Sequence, residues 1–211
     1  MSRLWLGQPV HATDGPFGEL ADIVVDPTTR RVTHLVIEPH HQHLQARLVP
    51  VELVQNADKI VEILLDGTGI RHLQTVAESD FVAFDQAVDP GDGWDVGTED
   101  VVTPTDDAVE LEQGWDRNKV GVSYDRIPKG HCEIRRRSEV VADCHRVGHV
   151  DGFVADGDSL AAVIVRTGVP GTHHNVLVPM GSVVAVRNDR IDPSVSRDQF
   201  HRLPTSRRRE G

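Results

Sequence analysis

The chain has 211 residues, of which 38% are apolar and only 4% aromatic, and it carries a net charge of −11. No apolar run approaches the ~18 residues of a membrane helix, no basic-then-apolar leader opens the sequence, and two cysteines, Cys132 and Cys144, are too few for a disulfide framework. The composition points away from membrane-spanning and disulfide-stapled classes and toward a cytoplasmic protein with an aliphatic core, and its many β-branched valines favour strands.

Taken in order, Leu4–Ala12 reads as the opening strand region and Thr13-Asp14-Gly15-Pro16 as a turn, since Gly, Pro and Asp each favour bent backbone. Leu20–Val25 is nearly continuous in apolar character, as a strand covered on both faces would be. Val32–Glu38 alternates, with Thr33, Leu35 and Ile37 on one side. A polar loop, Pro39-His40-His41-Gln42-His43, leads to strands at Ala46–Leu53 and Lys59–Leu65; Pro50 lacks an amide donor and should fall at an edge or a strand end. Thr68–Thr75 reads as one helical turn that places Ile70 and Leu73 on one face, a plug for a barrel end. Between Val76 and Asp116 lie thirteen acidic residues and no Lys or Arg, so this segment carries −13 and the rest of the chain +2. Such a composition is expected to form a largely irregular linker. Strands follow at Glu133–Ala142, Gly148–Asp156, Leu160–Arg166, Asn175–Pro179 and Val183–Arg187, then a helical turn over Ser196–Leu203 and a basic tail at Arg207-Arg208-Arg209.

These two runs are copies of one unit. Gly18 to Asp26 recurs 130 residues later as Gly148 to Asp156, and Val10 and Ala12 match Val140 and Ala142 at the same spacing. Leu35-Val36-Ile37 matches Val163-Ile164-Val165 at a spacing of 128, because Asp26–Arg31 of the first copy is answered by the shorter Asp156-Gly157-Asp158-Ser159, a tight-turn sequence. The expected organisation is one unit over residues 1–76, the linker over 77–123, a second unit over 124–206 and a tail over 207–211. Each unit is near the small end of independent folding, where only ~60% of the unfolded surface is buried, so the two gain by packing on each other as a pseudo-dimer. A homodimer is the alternative arrangement.

The residues Gly7-Gln8-Pro9-Val10, Thr13-Asp14-Gly15, Gly18 with Ile23-Val24-Val25-Asp26, Arg31–Val36 and Arg47-Leu48-Val49-Pro50 resemble a PRC-barrel domain, and so do Val140, Gly148–Phe153, Val163–Val165 and Val178-Pro179 in the second copy. The resemblance is to the two-copy PRC-barrel proteins of high-GC Gram-positive bacteria. It implies an all-β fold of two small β-barrels in tandem, each closed by a short helical turn and joined by the acidic linker. It also implies docking onto larger assemblies and brings no catalytic residues. Cys144-His145 stands where the pattern has Asp-Gly, so the second copy's turn should differ in geometry.

Candidate chemistry is sparse. His40, His41 and His43 in the first copy and His173 and His174 in the equivalent loop of the second could together offer imidazole nitrogens to Zn²⁺ or Ni²⁺. Neither Cys-x-x-Cys nor His-Glu-x-x-His accompanies them, and exposed loop histidines are the competing reading. Asp14, Asp22, Asp26 and Asp156 fall at turns or strand ends, where bonds to local backbone account for them. No Gly-x-Ser-x-Gly elbow and no phosphate loop occurs. The expectation is a non-enzymatic adaptor without cofactor, docking onto a protein or ribonucleoprotein partner. A metal- or small-ligand-binding module using the histidine loops is the alternative. The clusters Arg135–Arg137 and Arg207–Arg209 make RNA a lesser candidate partner, because the acidic linker would compete for them.

Overall fold

The computed structural model describes residues 2–39, 45–57, 59–83, 94–96, 100–101, 119–136, 138–169, 172–187 and 190–206, with side chains at all of these except 77–126. The first half runs β1 (Ser2–Trp5), β2 (Pro9–Ala12), β3 (Gly15–Asp26), β4 (Arg31–Glu38), β5 (Arg47–Pro50), β6 (Val54–Ala57), β7 (Val61–Ile63) and a short helix, α1 (Gly67–His72). Then come β8 (Ala77–Ala83), β9 (Trp94–Val96), β10 (Asp100–Val101) and β11 (Lys119–Pro128). The second half consists of β12 (Cys132–Arg135), β13 (Glu139–Ala142), β14 (His145–Asp156), β15 (Ser159–Thr167), β16 (His174–Pro179), β17 (Val183–Arg187), β18 (Arg190–Pro193), α2 (Arg197–Phe200) and β19 (Thr205–Ser206). The fold is all-β apart from short helical turns. Among the described residues no helix is long and apolar enough to cross a membrane.

Strand pairing follows the repeat closely. Every register shift in one half has a counterpart in the other: Val10/His11 with Val140/Val141, Leu20/Asp22 with Val150/Gly152, Val24/Val25 with Val154/Ala155, and Val54/Asn56 with Val183/Ala185. A bulge bends its strand and sharpens the local twist, so these positions curl the sheet into a half-barrel. Gly18 and Gly148, the anchors of the repeat, sit where the neighbouring strand passes closest. A Cβ on Gly18 would run into the Glu38 carbonyl, and one on Gly148 would lie 2.5 Å from the Arg166 oxygen. Pro50 and Pro179 close β5 and β16, strand ends as their missing amides require. The loop deletion also lies where expected: Asp26 pairs Arg31 across a longer turn, Asp156 pairs Ser159 across Gly157-Asp158, and Gly157 takes φ +62°.

The halves are not separate sheets. β1 leaves its own half and pairs antiparallel with β14, setting Leu4 opposite Phe153 and Trp5 opposite Gly152. β12 makes the reciprocal move onto β3, with Ile134 opposite Ile23 and Arg135 opposite Asp22. All four positions on each side are related by the 130-residue repeat, so the exchange is itself two-fold. Between the crossings the β3–β4 and β14–β15 turns interlock: Val32 donates to the Asp158 carbonyl and Leu160 to the Arg30 carbonyl, at 2.8 and 3.0 Å. One 15-stranded sheet results. One buried cluster accordingly joins Leu4, Leu6, Leu20 and Ile23 to Ile134, Val140, Val150 and Phe153. Trp5 is buried against Val154 and Ile164, residues of the other half.

Three expectations change here. The strand expected over Glu133–Ala142 is two strands, the exchanged β12 ending at Arg135, whose carbonyl accepts from the Ser138 amide, and β13 beginning at Glu139. Lys59–Leu65 likewise gives only the short β7, which pairs with a hairpin partner, β6, that falls between the expected strands Ala46–Leu53 and Lys59–Leu65 and was not expected. Within the acidic segment, described backbone that was expected to be irregular forms a second sheet, with β8 and β11 paired from Ala77–Asp125 to Ala83–Lys119. Val82, Val120 and Val122 suit such strands, and the high acidity that marked the segment as irregular does not prevent backbone pairing. The basic tail lies outside the described residues.

Candidate functional site

The predicted histidine set divides. His40, His41 and His43 lie outside the described residues. His173 and His174 are exposed, at the loop before β16 and at its first residue. Among the described residues no three His, Cys, Asp or Glu side chains gather as a metal site would need. Cys132 and Cys144 are both free thiols; Cys132 Sγ contacts the Val186 carbonyl at 3.5 Å, and Cys144 is exposed. At the latter turn Asp143 and Cys144 take φ +49° and +62°, the hairpin turn with two left-handed residues, where the first copy instead puts its one positive φ on Gly15. Either way a turn carboxylate reaches the helix that follows: Asp14 accepts from the Gly67 amide at 2.8 Å, and Asp143 from the Arg197 amide at 2.9 Å.

The expected carboxylate roles hold only in part. Asp26 accepts from the Thr28 and Thr29 amides and from Thr29 Oγ1, and these bonds hold its carboxyl below the usual Asp value. Asp22 is a correction: it is no turn residue but lies buried mid-strand in β3, accepting from the Arg136 amide at 3.1 Å across 114 residues of sequence. It fastens the turn that follows the exchanged strand β12.

Sequence reasoning missed a cleft of about 420 Å³ in the second half, lined by Arg146, His149, Arg166, Arg197 and His201 together with Val147, Thr167 and the loop after β15. Among the described residues no carboxylate lines it. β14 supplies Arg146 and His149, the end of β15 supplies Arg166, and the α2 turn supplies Arg197 and His201. Thr167 stiffens the floor, its hydroxyl donating to the Val147 carbonyl at 2.6 Å. Arg146 pairs with Glu139 at 3.0 Å, both side chains being about half exposed or more, so the bond is weak and exchangeable. His149 stands directly opposite Arg166. Partial burial pushes its pKa below the usual histidine value; nearby Asp151 works against this, and Arg166, Arg146 and His173 work with it. His173, one of the predicted ligands, thus belongs to the electrostatic surroundings of this cleft.

The corresponding place in the first half carries a bulkier side chain and, with two glutamates against one arginine, a net negative charge. There Phe17 stands for Val147, with the Arg71 guanidinium 5.8 Å from its ring centre. Pro16 stands for Arg146, Gly67 for Arg197, and the opposed pair Glu19 and Glu38 for His149 and Arg166. The lining comes from well-separated segments, so local motif reading could not find it. Comparing charge down the aligned repeat would have. No family model matches this chain, and no curated protein matches it either.

Proposed function

We propose that this chain is a tandem PRC-barrel-like protein acting as a non-enzymatic adaptor, a pseudo-dimer in one polypeptide that presents two related but chemically diverged ends to a protein partner. The observation that carries this reading is the reciprocal exchange of β1 and β12. Two halves laced through each other's sheets hold a fixed mutual geometry. A rigid two-ended body suits recognition, because little ordering entropy is lost when it docks. The repeat anchors Gly18 and Gly148, the bulges and the short helical turns α1 and α2 support the PRC-like reading of each half.

Crosslinking in the source cell followed by mass spectrometry tests it. One dominant protein partner should crosslink to both halves, and its recovery should not change when a chelator is present. Stoichiometric zinc or nickel on purified, untagged protein, together with loss of the partner on chelation, would replace this reading with the metal-binding one.

A further inference from the structure

The basic cleft goes beyond the adaptor reading and does not depend on it. Its five cationic or titratable side chains converge without a carboxylate among them, and of the three arginines only Arg146 has an ion-pair partner among the described residues. Three nearby acids already have partners: Glu139 holds Arg146, Asp143 accepts from the Arg197 backbone amide, and Asp151 accepts from Asn175 Nδ2 at 3.2 Å. Facing Arg166 across the strand pair is His149 and not a carboxylate, so the pairing supplies no opposite charge to the guanidinium. Comparison of the halves sharpens the point. Between first and second copy Pro16, Glu19, Glu38 and Gly67 become Arg146, His149, Arg166 and Arg197, four changes that raise positive charge against one loss, Arg71 to His201, while Phe17 becomes the smaller Val147 and leaves room. Space and charge thus appear together in one copy. The cleft's size falls in the range of small-molecule sites, and guanidinium forks match two oxygens of an oxyanion at once.

We propose that the cleft formed by Arg146, His149, Arg166, Arg197 and His201 binds a small, multiply charged oxyanion ligand, a phosphate ester or a polycarboxylate. Arg166 and Arg197, which have no ion-pair partner among the described residues, make the main contacts. Val147 sets the available depth.

Titration calorimetry on the full chain, with inorganic pyrophosphate in one arm and citrate in the other, tests this. A single saturable site is expected, with preference for pyrophosphate assigning the ligand to phosphate esters and preference for citrate assigning it to polycarboxylates. Arg166→Gln and the exposed Arg197→Gln should each weaken binding about tenfold, the scale of one lost charge-assisted bond. Val147→Phe restores the first-half side chain and should abolish binding while leaving every positive charge in place. No saturable heat with either anion would overturn the proposal. So would affinity unchanged in Arg197→Gln, or heat that vanishes at about 150 mM salt, as diffuse surface attraction does.

Discussion

Asp22 shows how much a single side chain can do in this fold. A carboxylate 7% exposed in the middle of a strand is costly unless hydrogen-bonded, and its bond to the Arg136 amide spans the exchange. Asp22→Ala should lower unfolding free energy by about 1–3 kcal/mol in a denaturant titration, whereas Asp22→Asn, which keeps an acceptor oxygen, should cost less. Two partly buried histidines act through pH instead. Burial holds both His34 and His149 below the ordinary histidine value, so over that interval the unfolded chain binds more protons than the folded one. Stability should therefore be full above about pH 6.5 and fall as pH drops through that value toward their folded pKa values. Thermal melts from pH 7.5 to 5.5 should show the loss, and a His34→Gln, His149→Gln double variant should flatten it. At this scale the sequence was readable where a residue's reason is local, as with Asp26 and the turn glycines. Asp22 was not, because its partner is set by a crossing that no short window contains.

Strand existence was legible from valine runs and punctuation, and the repeat revealed which strands correspond. What could not be read was which sheet each opening strand joins. Leu4 and Ile134 are interchangeable in character, so β1 and β12 would satisfy either half's core, and only the three-dimensional arrangement decides. The exchange makes a sharp forecast: Trp5→Ala, at a residue whose apolar cluster belongs to the other half, should cost about 3–5 kcal/mol and should deprotect amides of β14 and β15 in hydrogen exchange before those of β3. Separate halves would show the opposite order. The acidic segment gives a second test. Removing Asp85–Glu110 deletes β9 and β10 but keeps β8, β11 and every strand of the large sheet. The shortened chain should therefore retain its cooperative melt; a collapsed transition would mean that the small sheet is structurally required.

Across the molecule, the duplication proposed from the sequence, followed by divergence, would account for both what was visible and what was hidden. The shared backbone plan left matching glycines and bulges that could be aligned, while the cleft arose from the differences between copies and so left no motif. Lacing also predicts how the chain unfolds. One core cluster spans both halves, so calorimetry should record a single transition whose calorimetric and van't Hoff enthalpies agree, not the two steps of independent barrels. The same lacing sets an order of events during synthesis. The strand that completes β3 is not made until residue 135, and at ~5–20 residues per second the nascent first half, finished at residue 76, waits roughly 3–12 seconds with that edge unsealed. A growing polypeptide in that state offers a template to any stray strand near the ribosome exit, so chaperone protection should matter most while the acidic stretch is being translated.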